Sequence, residues 1–544
     1  LNAIIQILEQ LLAAVPQDLW HSQRFYPFPT PPTGPITLFD ACVFQQGASG
    51  ALGMAWLTCP GHQELLTFPF RISRYSQDGD LIFLPPWSLR EATADADFYS
   101  NWKQAAQATG RLATIRGGAL HSRQFEAQSS FNIINLWTDN KNACTRVETQ
   151  HLCKIFRVAS PKNPYSIEAE ILEYLTAQNV FLQHPELTTR YDLHPVNSDG
   201  KGIPVAIVTR YIQSNAKLWQ ELTAKIQHAR YPEPMREYSS RVTWFSILET
   251  TGKLGRLLAE FHLAMTHSRK NQLLNPETNM GEAKEKWLET LLRQLNERIY
   301  HIRNIEPSQG ISPQDCNRLA DFAHDLFEKI KRTDHLGLLI RTHGHAHLGQ
   351  VLVSDDGLYL VNYETDSLDD EEYRIQKQSA LKDLAAMMVS LQFAWSTTER
   401  NESLPVFNEI LSPESEYGQH VIRKLEKFSE PQRYAPSLIE LENAFTRSYL
   451  LTIAEDASGI ELLPQKNSDL ENLYDFCFLL RILKETVRDL RQLNPRFKTD
   501  LKILMDHIDG RLKRPNFEAF FNSPARFSVS PDHEPPYGMD SDFS

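Results

Sequence analysis

The sequence predicts an α+β protein with a β-rich start, a small mixed lobe and a large helical lobe that encloses one strand-turn-strand hairpin. Three observations carry this. Short strand-like runs separated by turn residues fill the first ~115 positions, a single amphipathic helix then lies among apolar strands, and helical periodicity dominates from about residue 216. Strands around one helix followed by a run of helices are the pattern of an α+β chain rather than of alternating βαβ units.

Taken in order, ITLFDACVF, GMAWLTC and ELLTFPFRI read as strands, with PTPPTGP as a loop, because apolar and β-branched runs bounded by Gly, Pro and Ser favour extended chain. FNIINLW, HLCKIFRV and IPVAIVTRYI follow as strands, and SIEAEILEYLTAQ as the helix among them. The segments VTWFSILETTGKLGRLLAEFHLAMTHS, KEKWLETLLRQLNERIYHI, SALKDLAAMMVSLQFAW and NLYDFCFLLRILKETVRDLRQL each space apolar residues at i, i+3 and i+4, one face of a helix. Inside this region, GLLIRTHGHAHLGQVLVSDDGLYLVNYET places a tight SDDG turn between QVLV and LYLVNY, a hairpin signature. The final stretch from RPNFEAFF onward loses periodicity and is rich in Pro, Ser and Asp, which suits a tail. The expected organisation is therefore a cap at 1–115, a mixed lobe at 116–215, a helical lobe at 216–515 with the hairpin at 338–366, and a tail at 516–544.

Composition narrows the function classes. The chain has 544 residues, 41% hydrophobic and 23% charged, with 68 acidic against 56 basic residues and a formal charge of -12. No dense Lys/Arg block is present, so nucleic acid and anionic membrane are not expected partners. No apolar run reaches the ~18–20 residues of a membrane span, and the start LNAIIQILEQLLAAVPQDLW lacks a basic n-region, so a cytoplasmic protein is expected. The first residue, Leu1, is not methionine, which fits a piece of a longer chain. The six cysteines, Cys42, Cys59, Cys144, Cys153, Cys316 and Cys477, form no C-x-x-C pair and read as reduced core residues. Neither G-x-x-x-x-G-K-[ST] nor G-x-S-x-G occurs, which removes the P-loop and serine-hydrolase readings.

Chemistry concentrates in RTHGHAHLGQ, residues 341–350. If this stretch were a strand, His343, His345 and His347 would share one face, and three imidazoles could hold zinc. The alternative is phosphoryl transfer. That chemistry takes a strand lysine for the nucleotide phosphates, a helix glutamate to position it, an acid for the acceptor hydroxyl, and metal ligands. Lys154 in HLCKIFRV meets the first need, and Glu170 on the following helix is preferred for the second over its competitor Glu168. Gln350 closes the loop, and Asn362 and Glu364 fall in NYE on the second arm of the hairpin.

The stretch RTHGHAHLGQVLVSDDGLYLVNYETD with YRIQKQSALKDLAAMM resembles the core of bacterial maltokinases, relatives of aminoglycoside phosphotransferases. In that family the loop reads R-x-H-G-D-x-H-L-G-Q-V-L and the metal motif D-F-E-G-E. LCKIFRVASPKNP is similar to the family's lysine strand, GKLGRLLAEFHLAM to its L-G-R-x-x-A-E-x-H-L-A helix, and FLLRILKETVRDLRQLNPRF more weakly to its last helix. The resemblance spans roughly residues 1–515. It implies a protein-kinase-like bilobal fold with an N-terminal cap, ATP and Mg²⁺ as cofactors, and transfer of the γ-phosphoryl group to the anomeric hydroxyl of maltose. Trehalose synthase or a glucan-building enzyme is the implied protein partner.

By the same resemblance, Gln128 and Ser129 belong to the segment covering the phosphates, Gln350 and Asn362 to the metal site, and His347, Arg374, Lys377 and Arg491 to the substrate site. Asp383 in ALKDLAAM is expected to buttress the loop. The departures decide the reading. His345 stands where the family has its catalytic Asp and Asn362 where it has a metal-bridging acid, and Arg488 and Gln492 stand where it carries tyrosines. An imidazole accepts a proton near neutral pH but brings no anion beside a metal. The sequence therefore favours a pseudokinase, with an active divergent sugar kinase using His345 as the alternative and a zinc protein through His343, His345 and His347 as a third reading.

Overall fold

The strand runs before residue 216 form two antiparallel sheets in the computed structural model, which describes residues 2–75, 77–124, 133–138, 142–147, 150–196, 202–230, 237–269, 271–304, 311–364, 371–398 and 436–523. Two compact units result, one from Leu1–Asn179 with His184–Gln213, the other from Val180–Gln183 with Ser214–Ser544.

In the first unit, β1 (Thr37–Gly47), β2 (Gly50–Thr58), β3 (Leu65–Ser73), β4 (Ile82–Leu84) and β5 (Trp87–Glu91) pair in the order β1-β2-β3-β5-β4. Helices α1 (Asn2–Ala14) and α2 (Gln17–Ser22) close one face, where Leu8, Leu11, Leu12 and Trp20 join Phe68 and Phe70 in a single core. The spacing of Ile4, Leu8, Leu11 and Leu12 is the i, i+4, i+7, i+8 stripe of a surface helix. Helix α3 (Ala96–Thr109) belongs to a second core with Trp56, Leu193 and Val205.

The second sheet contains β6 (Arg111–Ala113), β7 (Ala119–Gln124), β8 (Ile133–Thr138), β9 (Asn142–Val147) and β10 (His151–Phe156). The two-residue β11 (Val158–Ala159) returns to β3, and β12 (Leu187–His194) and β13 (Ile203–Arg210) complete the order β6-β7-β12-β13-β10-β9-β8. Helix α4 (Ile167–Gln178) starts where Ser166 accepts from the Ala169 amide at 3.3 Å and stops at left-handed Asn179, an N-cap and C-cap of ordinary chemistry.

The second unit is mainly helical: α5 (Leu218–Arg230), α6 (Glu237–Thr266), α7 (Gly281–Arg303), α8 (Pro313–Arg332), α9 (Glu371–Ile375) and α10 (Leu381–Thr398), then α11 (Leu438–Ala454), α12 (Ala457–Leu462), α13 (Asn467–Arg491), α14 (Phe497–Ile508) and α15 (Glu518–Phe521). Helices α6 and α11 approach closely because Gly255 lacks a side chain, since a Cβ there would lie 2.2 Å from the Phe445 carbonyl. Two small sheets carry the loop region. In one, β14 (Ala216–Lys217), β17 (Val351–Ser354) and β18 (Gly357–Leu360) pair in that order, and in the other β15 (Glu277–Thr278), β16 (Leu338–Ile340) and β19 (Gln378–Ser379). The expected hairpin is β17–β18, turning at Asp355 and Asp356 between Ser354 and Gly357.

The tail expected from residue 516 begins with packed residues, because Phe517 and Phe520 are buried and Phe517 meets Tyr474 edge-on at 5.3 Å. Residues 524–544 lie outside the described ones. All six cysteines are buried free thiols. Among the described residues, no helix is long and apolar enough to cross a membrane.

Candidate active site

Lys154 is the fourth residue of β10, paired on one side with Cys144 and on the other with Ile207. Its Nζ meets Glu168 Oε2 at 2.7 Å, with both side chains almost fully buried. The helix partner is thus Glu168 rather than the preferred Glu170. Glu170 instead receives Arg190 Nη1 at 2.8 Å, a cation it shares with Glu173, while Arg190 Nε reaches Asp192 at 2.9 Å. The helical phase explains the correction, since residues two apart on an α-helix are ~200° apart and face opposite ways. Gln128 and Ser129 lie outside the described residues.

In the second unit, the RTHGHAHLGQ loop is held from below. Asp383, near the start of α10 and fully buried, accepts the His343 amide at 2.6 Å and the Gly344 amide at 3.0 Å. Its Oδ2 also meets His262 Nε2 at 3.2 Å, and His262 Nδ1 meets the Tyr449 hydroxyl at 2.8 Å. Burial works against the Asp383 carboxylate, but the His262 hydrogen bond and the His262 and His343 imidazoles hold its pKa below the ordinary value. The buttressing expected for Asp383 is therefore present. Arg341 anchors the other end, donating to the carbonyls of Leu273 at 2.9 Å and Ile375 at 2.5 Å. Burial pushes its guanidinium down to about 10.

The three loop histidines do not share a face. Gly344 has φ 79°, in the left-handed region that favours glycine, and Leu348–Gln350 form a 3₁₀ turn, so the two-residue period of a strand is broken. His343 is fully buried. Its Nε2 donates to the Val361 carbonyl at 3.0 Å, and its Nδ1 accepts from the His345 amide at 3.4 Å. His347 caps the 3₁₀ turn, with Nδ1 accepting from the Gly349 amide at 3.0 Å. The His345 and His347 rings meet edge-on at 4.8 Å. With both His343 nitrogens committed to backbone, the zinc triad is not assembled, and among the described residues no group of three or more His, Cys, Asp and Glu could hold a metal ion.

The second arm is fixed by Tyr363, buried beside His343 and Phe261 with its hydroxyl on the Leu360 carbonyl at 3.1 Å. The loop and arm are stitched where the Val361 amide donates to the Gln350 carbonyl at 3.0 Å. Asn362 takes φ 64°, a left-handed conformation that Asn tolerates better than most residues. Gln350, Asn362 and His345 are all half-buried. The two residues expected to hold Mg²⁺, Gln350 and Asn362, bring neutral amides, a donor set that fits Mg²⁺ poorly, and Glu364 is the carboxylate two positions on.

The expected substrate residues are scattered among structural tasks. Lys377 is buried and ion-paired with Glu277, so its charge is committed within the fold. Arg374 lies on α9 and its carbonyl receives Arg341 Nη1 at 3.3 Å. Arg491 ends α13, where its Nη2 meets His301 Nε2 at 2.6 Å. The sequence reading missed Glu485, buried on α13 with Arg481 at 2.6 Å, Arg488, and Arg496 at 3.2 Å. Its signal was available, because Arg481 and Arg488 flank Glu485 at i-4 and i+3 on one helix face.

No protein-family model and no curated protein sequence matches the chain. Among solved structures, one of glucosamine kinase superposes with a TM-score of 0.59 at 16% identity, covering 93% of this chain and 100% of that one. A second, of glucosamine kinase in complex with glucosamine, ADP and inorganic phosphate, gives 0.58 at 16% identity, over 91% and 98%. The fold is kinase-like. Aminoglycoside 2'-phosphotransferase-IIIa in its GDP complex also aligns, at 10% identity and a TM-score of 0.36, over 76% of this chain and 99% of that one.

Within this kinase-like fold the loop histidines make a pH prediction. Burial, then the neighbouring His345 and Arg481, pushes His347 down to about 2, and burial pushes His343 down to about 4. In the unfolded chain both titrate near 6.5. Between pH 6.5 and 4 the unfolded state therefore binds more protons at these positions, and their contribution lowers stability as pH falls. His347→Asn retains a side-chain acceptor for Gly349 and removes the titration. Urea midpoints of this variant are expected to fall less steeply from pH 6.5 to 4 than those of the natural protein; parallel curves would refute the assignment.

Proposed function

We propose that the protein is a maltokinase-like relative of sugar kinases whose phosphoryl transfer is weak or absent. One observation carries this reading: the loop is held by Asp383 in a defined conformation, yet the side chains presented at the two acid positions of the resemblance are His345 and Asn362. The scaffold persists while two negative charges are missing. Losing a positioned general base costs ~10²–10⁴ in rate, and replacing the metal-side acid by an amide adds to that loss.

Nucleotide binding is a separate matter in this reading. The buried Lys154–Glu168 pair supports a retained phosphate-holding lysine, and the resemblance assigns Gln350, Asn362 and Glu364 to the metal. ATP is the cofactor and a small sugar the ligand, with His347, Arg374 and Arg491 the residues that the resemblance assigns to the sugar. Glucosamine kinase, solved with glucosamine and ADP, supports a sugar as the ligand class. A protein partner that builds or supplies α-glucan is the role left for a silent kinase.

The test is formation of sugar 1-phosphate from ATP, Mg²⁺ and maltose by the natural chain and by the His345→Asp, Asn362→Asp double variant. The double variant is expected to exceed the natural protein by ~10²-fold or more. Turnover by the natural protein equal to that of the variant would sink the proposal.

A further inference from the structure

Where α13 passes into α14, three buried carboxyl groups meet three guanidinium groups: Glu485 and Asp489 on α13 and Asp500 in the first turn of α14, with Arg481, Arg488 and Arg496. Two of the acids are well matched. Glu485 takes Arg481 at 2.6 Å, Arg488, and Arg496 Nη2 at 3.2 Å. Asp489 takes Arg496 Nε at 2.5 Å and Arg488 Nε at 3.4 Å. Asp500 is not matched in this way. Its ion pair is with the same Arg496 Nε, at 4.0 Å, which is already committed to Asp489. The Asp500 side chain is fully buried, and among the described residues no N–H or O–H donor reaches either of its oxygens.

What Asp500 does meet is the Asp489 carboxyl group, through a side-chain hydrogen bond. Ionised carboxylates only accept, so this bond exists only while one of the pair carries a proton. Electrostatics point the same way, since two carboxylates at hydrogen-bond distance in a water-excluded site cannot both ionise at little cost. The other charges nearby leave that balance in place. Arg496 opposes the repulsion, and Glu485 adds to it. From α8, the other helix packed against α14, Arg318 is engaged with Asp315 and with Asp509 at the far end of α14. From α10, the face of Phe393 lies 4.7 Å from the Arg496 guanidinium and brings no charge. Burial first, and then the Asp489 carboxylate, pushes Asp500 up to about 8.

We propose that Asp489 and Asp500 share one proton at neutral pH and that its loss in alkali releases α14 from α13, so that the pair is a pH-sensitive latch. In the unfolded chain an aspartate gives up its proton near pH ~3.9. From there up to about pH 8 the folded chain holds one proton more than the unfolded one. The latch therefore contributes in full below the unfolded value, weakens as pH rises, and contributes nothing above the folded value. Its position gives the release a reach beyond α14. Arg496 joins Asp489 to Glu485, Glu485 holds Arg481, and Arg481 lines, with Arg298, Lys382 and Lys484, a cavity of about 30 Å³ that reaches Gly344 of the histidine loop. The latch is independent of whether the protein transfers phosphoryl groups.

The experiment compares the full chain with Asp500→Asn, whose amide N–H₂ replaces the acid O–H toward Asp489 and carries no charge. Melting temperatures are read from pH 5 to 9.5. The gap between the two proteins is expected to widen in favour of the variant by about 5 °C or more up to pH 8 and then to hold constant. Parallel curves overturn the shared proton. The natural protein alone tests the release, through hydrogen exchange of residues 497–508 corrected for the pH dependence of the chemical step. Protection there is expected to drop about tenfold between pH 7 and 9, the factor of one pH unit past the titration, while that of α10 stays level. Unchanged protection of 497–508, or an equal drop in α10, overturns the latch.

Discussion

Asp383→Ala is expected to destabilise the protein by about 3–5 kcal/mol, the range for removing one member of a buried charged network. The carboxylate is fully buried and accepts two consecutive loop amides at 2.6 and 3.0 Å as well as His262. Alanine leaves both amides and the imidazole without an acceptor, and each stranded buried group costs about 1–3 kcal/mol. Urea unfolding of the two proteins reads the difference directly; a loss below about 1 kcal/mol would mean that water takes over the acceptor role and that Asp383 is not the anchor. Asp383→Asn is a finer probe, since the amide keeps one acceptor oxygen but turns an N–H₂ donor toward donors. It is expected to fall between alanine and the natural residue. Either change also weakens the hold on the Gly344 amide, next to His345 in the chain.

Much of this arrangement was legible before any coordinates. The hairpin turn at SDDG, the helix from Ile167 to Gln178 and the long helices around Trp244, Trp287 and Met387 follow local rules of period and turn chemistry. What failed depended on tertiary choices. Glu168 and Glu170 both sit in the first turn of α4, and which of them faces β10 is set by how the helix docks, not by its composition. Three alternating histidines looked like one strand face because nothing local announces that Gly344 adopts a left-handed backbone and that Leu348–Gln350 wind into a 3₁₀ turn. Helix α1 escaped because its apolar residues were weighed only against a targeting signal, although their 3.6-residue stripe was present. That Arg298, Lys382, Arg481 and Lys484 line one cavity could not be read at all, because they come from three helices separated by long stretches of chain, and only the packing of those helices brings them together.

Lys154→Met is the second large effect, and it separates stability from binding. The substitution keeps the volume of the side chain but leaves Glu168 buried without the cation at 2.7 Å, which costs about 3–5 kcal/mol when one partner of a buried pair is removed. Changing both residues, Lys154→Met with Glu168→Leu, is expected to recover most of that loss, because apolar side chains of similar size replace a desolvated ion pair at little net cost. A double variant no more stable than the single one would mean that the pair is not the source of the destabilisation. ATP supplies the other readout. If Lys154 holds phosphates, the natural protein melts higher with the nucleotide, by the equivalent of about 2.7 kcal/mol when the ligand is at 100 times its dissociation constant, and both variants lose that shift. A stable double variant that still responds to ATP would assign the Lys154–Glu168 pair to the packing of β10 against α4 alone. The alternative, recovered stability without recovered ATP response, is the result expected of a strand lysine whose charge serves a ligand rather than the fold.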